Sequence, residues 1–150
     1  MTKVFIDGSA GTTGLRIYER LNSRKDIELL TLSEEMRKNT DARRQMLNLA
    51  DIAFLCLPDK AAVEAVSLSE NGNTAVIDTS TAHRTADGWA YGFAELSGPH
   101  RRAIQNSKRI ANPGCHARCS FTYAIWASTE AWEVPPSEIR FSTQVSRSMS

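Results

Sequence analysis

The chain has little charge of either sign to spare. Its 18 Lys and Arg residues against 17 Asp and Glu leave a net charge of +1 over 150 residues. That balance gives no electrostatic footprint for nucleic acid or for an anionic membrane surface, so neither is expected as a partner. No apolar run approaches the roughly 20 residues needed to cross a bilayer. The start, MTKVFIDGSAG, reads as a strand followed by a glycine turn and leaves no room for a signal peptide. Cysteines are few and odd in number, Cys56, Cys115 and Cys119. Without a secretion signal this argues for reduced thiols and a cytoplasmic protein. Cys115 and Cys119 flank His116, but no second pair of ligands follows at zinc-site spacing, so no metal site is expected. Internal repeats and low-complexity tracts are also missing.

What is present is an ordinary globular composition, 41% hydrophobic and 23% charged, in a length that can bury a core. Short apolar, β-branched runs at 3–7 (KVFID), 27–32 (IELLTL), 51–57 (DIAFLCL) and 74–78 (TAVID) read as strands. Between them, 15–22, 39–50 and 60–68 read as helices, the first with Leu15, Ile17, Tyr18 and Leu21 at helical spacing. Strands alternating with helices across short connections predict a doubly wound parallel α/β sheet with helices on both faces. The aromatic, glycine and proline content of residues 88–100 predicts an irregular loop.

Chemistry enters at three places. Gly8-Ser9-Ala10-Gly11-Thr12-Thr13-Gly14 lies between the first strand and the first helix. Glycines so placed let a backbone turn tightly and approach a pyrophosphate resting on helix N-terminal amides, which predicts a dinucleotide site. The spacing by itself also fits a plain turn; the clean strand before it and the amphipathic helix after it favour the dinucleotide. Beyond the second strand, Arg37 and Lys38 could neutralise a 2′-phosphate, with Ser33 donating a hydrogen bond to it, which points to NADP, whereas Glu34 and Glu35 keep NAD open and the whole stretch also fits a solvated loop. The third place is Asn112-Pro113-Gly114-Cys115, a turn ahead of a helix-compatible stretch. A thiol at a helix N-terminus has a lowered pKa. With a nucleotide-binding half, such a thiol suggests thioester chemistry coupled to hydride transfer. Cys56, inside an apolar run, reads as a small buried core residue.

Four segments in order, VFIDGSAGTTGL, DIAFLCLPDKAAVEAVSL, IDTSTAHRTADGWAYGFAEL and IANPGCHA, are distributed through residues 3–117 and resemble the short-form N-acetyl-γ-glutamyl-phosphate reductases of arginine biosynthesis, relatives of aspartate-semialdehyde dehydrogenase. The resemblance implies a catalytic cysteine at Cys115, which would attack the acyl phosphate of N-acetyl-glutamyl phosphate, and reduction of the thioester with NADPH. It implies that Leu57 and Pro58 border the cofactor and that Ser80 lies in a loop, 80–84 (STAHR), that approaches cofactor and substrate phosphate. Arg84 is then the phosphate-binding candidate, since a guanidinium forks onto phosphate oxygens; a surface arginine closing a salt bridge is the plainer alternative. Asn112 would shape the turn beside Cys115 and border the substrate. His83 and His116 read as loop residues rather than the catalytic base.

The pattern has two departures. Phe93-Ala94-Glu95-Leu96 lacks the proline usual before the glutamate. After Ala117 the family's small-residue turn gives way to Arg118-Cys119-Ser120 and a stretch to residue 150 without family likeness. The expected organisation is therefore an NADP-binding domain over 1–117 and a poorly specified tail over 118–150. Relatives carry roughly another 100–200 residues, which supply a catalytic histidine and most of a homo-oligomer interface. A reading-frame change near codon 117 would produce this switch; a divergent short member is the alternative. A catalytically silent nucleotide-binding fragment and a nucleotide-sensing module are the competing functional expectations.

Overall fold

The computed structural model describes residues 1–69 and 71–114. The expectations for Cys115, His116, Cys119 and the 118–150 stretch lie outside these residues. Met1–Gly114 form one unit, built on six strands that are all parallel. In chain order the elements are β1 (Thr2–Asp7), α1 (Thr12–Asn22), β2 (Ile27–Leu30), a 3-10 turn (Met36–Lys38), α2 (Thr40–Leu49), β3 (Ile52–Leu55), α3 (Asp59–Leu68), β4 (Ala75–Asp78), β5 (Ala90–Tyr91), α4 (Gly98–Asn106) and β6 (Arg109–Ala111). Across the sheet the order is β2-β1-β3-β4-β6-β5.

This order contains a reversal. From β1 the chain steps one way to β2, then returns past β1 to β3 on its other side. Because parallel crossovers are right-handed, steps in opposite directions place their helices on opposite faces. α1 and α4 therefore cover one face, and α2 and α3, which pack on each other, cover the other. The predicted doubly wound architecture is the one observed.

Alternation along the strands assigns side chains to these faces. Phe5, Ala53, Leu55 and Val76 join Leu47 and Ala50 from the end of α2 and Ala65 and Leu68 of α3 in one buried cluster. Thr74 is wholly buried within this layer, and its hydroxyl satisfies the carbonyls of Leu47 and Ala50 at 2.8 Å each. On the opposite face Val4 and Ile6 are buried, while Ile52, Phe54 and Ile77 are half-buried.

One expectation is corrected. Residues 88–100 are not wholly irregular, since they contain β5 and the start of α4. β5 is only two residues long, and α4 buries none of its residues, so neither produces a hydrophobic period that sequence reading can detect. The start of α4 is nonetheless encoded: Ser97 accepts a hydrogen bond from the His100 amide, with Pro99 in the first turn. The helix expected over 15–22 is present as α1, with a shallow apolar stripe. Leu15 is 49% exposed, and Gly14 is the one buried residue of the helix.

Candidate dinucleotide and thiol site

In an open parallel sheet, ligands bind outside the carboxyl ends of the strands where the order reverses. Here that point is between β1 and β3. All the described candidate segments sit at this one edge. Gly8 to Gly14 follow β1, Ser33 and the 36–38 turn follow β2, Leu57 and Pro58 follow β3, residues 80–84 follow β4, and residues 112–114 follow β6. Four of these strands, in the order β1-β3-β4-β6, lie side by side in the sheet.

The three glycines of the first turn have different physical reasons. Gly8 has φ +87°, and a Cβ there would lie 2.3 Å from the Cys56 carbonyl oxygen and 3.3 Å from the Leu57 side chain. Only glycine permits β1 to turn while the backbone after β3 passes this close. Gly14 is buried in the first turn of α1, where a Cβ would lie 2.3 Å from the Gly8 carbonyl oxygen. Gly11 is different: its φ is −77°, and a Cβ there would meet only the Gly8 carbonyl oxygen, at 3.4 Å. It is the N-cap of α1, exposed, with no side chain capping the helix and no acidic residue in the first turn. Ser9 is half-buried, while Ala10, Thr12 and Thr13 are exposed. The first-turn amides of such a helix have no intrahelical acceptor and carry the positive end of its dipole. A bare N-terminus reached across a residue without a side chain fits a pyrophosphate.

Beneath this turn is a feature that sequence reading missed. Asp7, the last residue of β1, is 6% exposed and accepts two hydrogen bonds on one oxygen from Arg43 of α2, from Nε and Nη2 at 3.0 Å each. Burial raises the Asp7 carboxyl above its usual range, and the Arg43 guanidinium opposes that shift. Glu64 of α3 lies 3.7 Å from the same guanidinium. An arginine on a polar helix carries no sequence signal that it is buried.

Ser33, Arg37 and Lys38 are all exposed at the carboxyl end of β2. The Ser33 carbonyl accepts from the Met36 and Arg37 amides, at 3.0 and 3.1 Å, which winds both basic residues back toward the strand end. Pro58 caps α3 from an exposed position, and Leu57 is half-buried against the glycine turn.

The loop after β4 is anchored inward. Asp78 is fully buried; it accepts from the Ser80 amide at 2.9 Å, from the Ser80 hydroxyl at 2.6 Å and from His83 Nδ1 at 2.6 Å. The His83 ring stacks on Trp89 at 4.1 Å between centroids, and Trp89 packs on the core cluster. Ser80 is thus 8% exposed, with its hydroxyl turned to Asp78. Asp59, at the start of α3, holds the other side by accepting from the Thr81 amide at 2.9 Å and from its hydroxyl. Those bonds lower the exposed Asp59 carboxyl below its usual range.

Arg84 follows directly. It is half-buried, its Nε donates to the Asn112 carbonyl at 3.2 Å, and a Cβ on Gly114 would lie 3.1 Å from its Nη1. The guanidinium therefore lies against the backbone that leads into Cys115. Asn112 is tied to β4 through its amide, 2.7 Å from the Asp78 carbonyl, and its side chain donates to the Pro113 carbonyl at 3.3 Å. Cys56 is not a core residue of a strand: it follows β3 and is half-exposed beside Gly8. Burial still pushes its thiol up to about 11; a hydrogen bond with Thr79 opposes that shift, and the nearby Asp7 and Asp78 carboxylates add to it by smaller amounts. Among the described residues no group of His, Cys, Asp and Glu could hold a metal, and no helix is long and apolar enough to cross a membrane.

Comparison with known proteins agrees with this geometry. Residues 3–106 match the family described as semialdehyde dehydrogenase, NAD binding domain, so the cofactor class is a nicotinamide dinucleotide. The chain is 58% identical over 113 residues to an N-acetyl-gamma-glutamyl-phosphate reductase of Mesorhizobium japonicum, covering 75% of this chain and 37% of that protein. It is 54% identical over 114 residues to the protein of the same name from Trichormus variabilis, covering 76% and 35%. The chain thus spans little more than a third of the length of the curated relatives it matches. Among solved structures, the aspartate semialdehyde dehydrogenase of Francisella tularensis aligns with a TM-score of 0.56 at 19% identity, covering 76% of this chain and 36% of that one. Aspartate semialdehyde dehydrogenase II of Vibrio cholerae, complexed with ASA, aligns with a TM-score of 0.56 at 20% identity, covering 75% and 38%. At that identity the likeness is one of fold. The chain belongs to the semialdehyde dehydrogenase family, with residues 3–106 as its NAD-binding domain.

Proposed function

We propose that this chain carries the cofactor-binding and thiol-bearing part of an NADP-dependent N-acetyl-γ-glutamyl-phosphate reductase, acting in the cytoplasm on a small acyl-phosphate substrate. The observation that supports it is the convergence of the glycine turn, the basic 36–38 turn, Arg84 and the turn leading into Cys115 at one sheet edge. The relatives' shared name supplies the substrate class.

In this reading the α1 N-terminus holds the pyrophosphate, and Arg37, Lys38 and Ser33 receive the 2′-phosphate that distinguishes NADPH from NADH. The Cys115 thiolate adds to the carbonyl carbon of the acyl phosphate. The carbon–oxygen bond to phosphate breaks, phosphate leaves with the electron pair, and a thioester to Cys115 remains. Arg84 neutralises phosphate oxygens as they gain charge. A reduced nicotinamide held at this edge would supply the hydride that the thioester carbonyl needs, and expulsion of the Cys115 thiolate would then release the semialdehyde. Among the described residues no hydrogen bond joins a histidine to the 112–114 turn; His83 Nδ1 is bonded to Asp78 and His100 Nδ1 to Ser97. Proton transfer is therefore assigned to groups outside those residues.

The test does not depend on turnover. N-acetylglutamate semialdehyde should protect Cys115 from iodoacetamide by forming a thiohemiacetal, the sulfur adding to the carbonyl carbon and the proton going to oxygen. Acetaldehyde at the same concentration should not. Cofactor binding without such protection would point instead to a silent nucleotide-binding module.

A further inference from the structure

We infer that Arg43 of α2 is a positioning residue for the dinucleotide: by bonding the Asp7 carboxylate beneath the glycine turn, it offsets a negative charge that would otherwise stand under the pyrophosphate. The inference rests on the reading of that turn as the pyrophosphate site and adds to it a residue from a different helix. Three observations carry it. Asp7 is buried at the end of β1, and its carboxylate accepts from Arg43 Nε and Nη2 at 3.0 Å each and from the amide of Gly8, the first residue of the turn. The Gly8 carbonyl accepts from the Gly11 amide at 3.0 Å, and Gly11 is the N-cap of α1. Hydrogen bonds thus link α2, through the carboxylate and Gly8, to the start of α1. Nor can the turn retreat from the carboxylate. The Cys56 amide donates to the Asp7 carbonyl at 2.8 Å, and a Cβ on Gly8 would lie 2.3 Å from the Cys56 carbonyl oxygen.

A buried ion pair is a weak source of stability compared with packed apolar side chains. Such packing already joins α2 to β1, where Leu47 shares a buried cluster with Phe5. What the pair supplies in addition is charge balance at the sheet edge. A carboxylate in a low-dielectric wall repels a nearby anion far more than one in water does. Arg43 and Asp7 are both buried, so solvent screens neither. Glu64, 3.7 Å from Arg43 Nη1, has a half-exposed side chain and is screened more. Asp7 is therefore the charge that Arg43 must offset before an anionic pyrophosphate can settle on the α1 amides.

The test uses the full chain at a temperature where thermal melts show each variant folded. Arg43→Gln keeps a donor toward Asp7 and loses the cation, whereas Arg43→Lys keeps the cation. Combining Asp7→Asn with Arg43→Gln removes both charges and keeps a hydrogen bond. In fluorescence titrations NADPH affinity should fall about tenfold in Arg43→Gln, where a buried like charge is left facing the ligand. It should fall much less in Arg43→Lys and recover in the double variant. Adenosine 2′-monophosphate, which lacks the pyrophosphate, should bind the parent and Arg43→Gln alike. If Arg43→Gln does not fold, Asp7→Asn alone replaces it with the opposite sign, and NADPH should bind several-fold more tightly. Parental NADPH affinity in folded Arg43→Gln is the outcome of a merely structural role and would overturn the inference. So would an equal loss in the single and double variants, a matching loss for adenosine 2′-monophosphate, or unchanged or weaker NADPH binding in Asp7→Asn. Each of these leaves the pyrophosphate reading in place. A parent chain that binds NADPH no more tightly than adenosine 2′-monophosphate would overturn that reading and the inference with it.

Discussion

Replacing Gly11 with alanine should separate cofactor binding from folding, because the structure gives this glycine no packing role. Its backbone, φ −77° and ψ 161°, is open to any residue, and the added Cβ would meet only the Gly8 carbonyl oxygen at an ordinary 3.4 Å. Alanine is a poorer N-cap than glycine by about 0.5–1 kcal/mol. Against this, restricting the unfolded chain returns about 0.4–1 kcal/mol. The net change in stability should be near zero. The pyrophosphate, however, must approach the first-turn amides of α1 across this residue. Breaking one charge-assisted hydrogen bond there costs about 1.5–3 kcal/mol, a tenfold to hundredfold weakening of NADPH binding. Gly14→Ala is the control with the opposite profile. Its Cβ would stand 2.3 Å from the Gly8 oxygen and 2.8 Å from the Ser9 Cα, so backbone must shift. Overpacking of that kind costs about 1–3 kcal/mol, a fall in Tm of about 5–20 °C for a unit of this size. NADPH fluorescence titration and a thermal melt on both variants measure the two effects. A folded Gly11→Ala with parental affinity would show that the turn is not the pyrophosphate cradle, and a large fall in its Tm would refute the packing argument.

Three further outcomes are expected. NADPH should bind more tightly than NADH, and replacing Arg37 and Lys38 together should remove most of the difference; equal affinities in the parent would refute the coenzyme assignment. Arg43→Ala leaves Asp7 buried without its partner and should destabilise the unit by about 3–5 kcal/mol in urea titrations at neutral pH. A carboxyl raised in the folded state binds its proton more tightly there, so its contribution to stability falls as pH climbs above the ordinary 3.8; the loss in Arg43→Ala should therefore be smaller in acid than at neutrality, and an equal loss at both would show that Asp7 does not titrate this way. Iodoacetamide at neutral pH should label Cys115 well before Cys56, whose pKa of about 11 leaves about one thiolate in ten thousand.

The fold was legible in the sequence wherever burial imposes a period. β1, β3 and α3 were readable because their apolar residues face a core on both sides or on one stripe, and the glycine turn because three small residues interrupt that pattern at a strand end. β5 and α4 were not, since two residues cannot show alternation and a helix without buried residues has no stripe. Cys56 reads as deeper than it lies for a related reason: the run 52–57 is apolar throughout, but β3 ends at Leu55, after which the Cys56 amide makes one more bond to the Asp7 carbonyl at 2.8 Å, and composition does not mark where a strand ends. The candidate site was legible as motifs, yet the contacts that position it, Arg43 with Asp7 and His83 with Asp78, join residues 36 and 5 apart whose burial only the tertiary structure creates.

Cys56 shows why proximity to a nucleotide site does not make a nucleophile. It sits at the reversal point, beside Gly8, and is half-exposed. Its chemical surroundings nevertheless work against ionisation: burial disfavours the thiolate first, and the carboxylates of Asp7 and Asp78, which end the two strands that flank β3, add to it. The turn after β6 has the opposite surroundings. The charged side chain against it is the Arg84 guanidinium, brought there from the loop after β4. The parallel order β1-β3-β4-β6 produces that difference, because it sets the end of β3 between Asp7 and Asp78 and leaves the 112–114 turn after β6 within reach of the arginine.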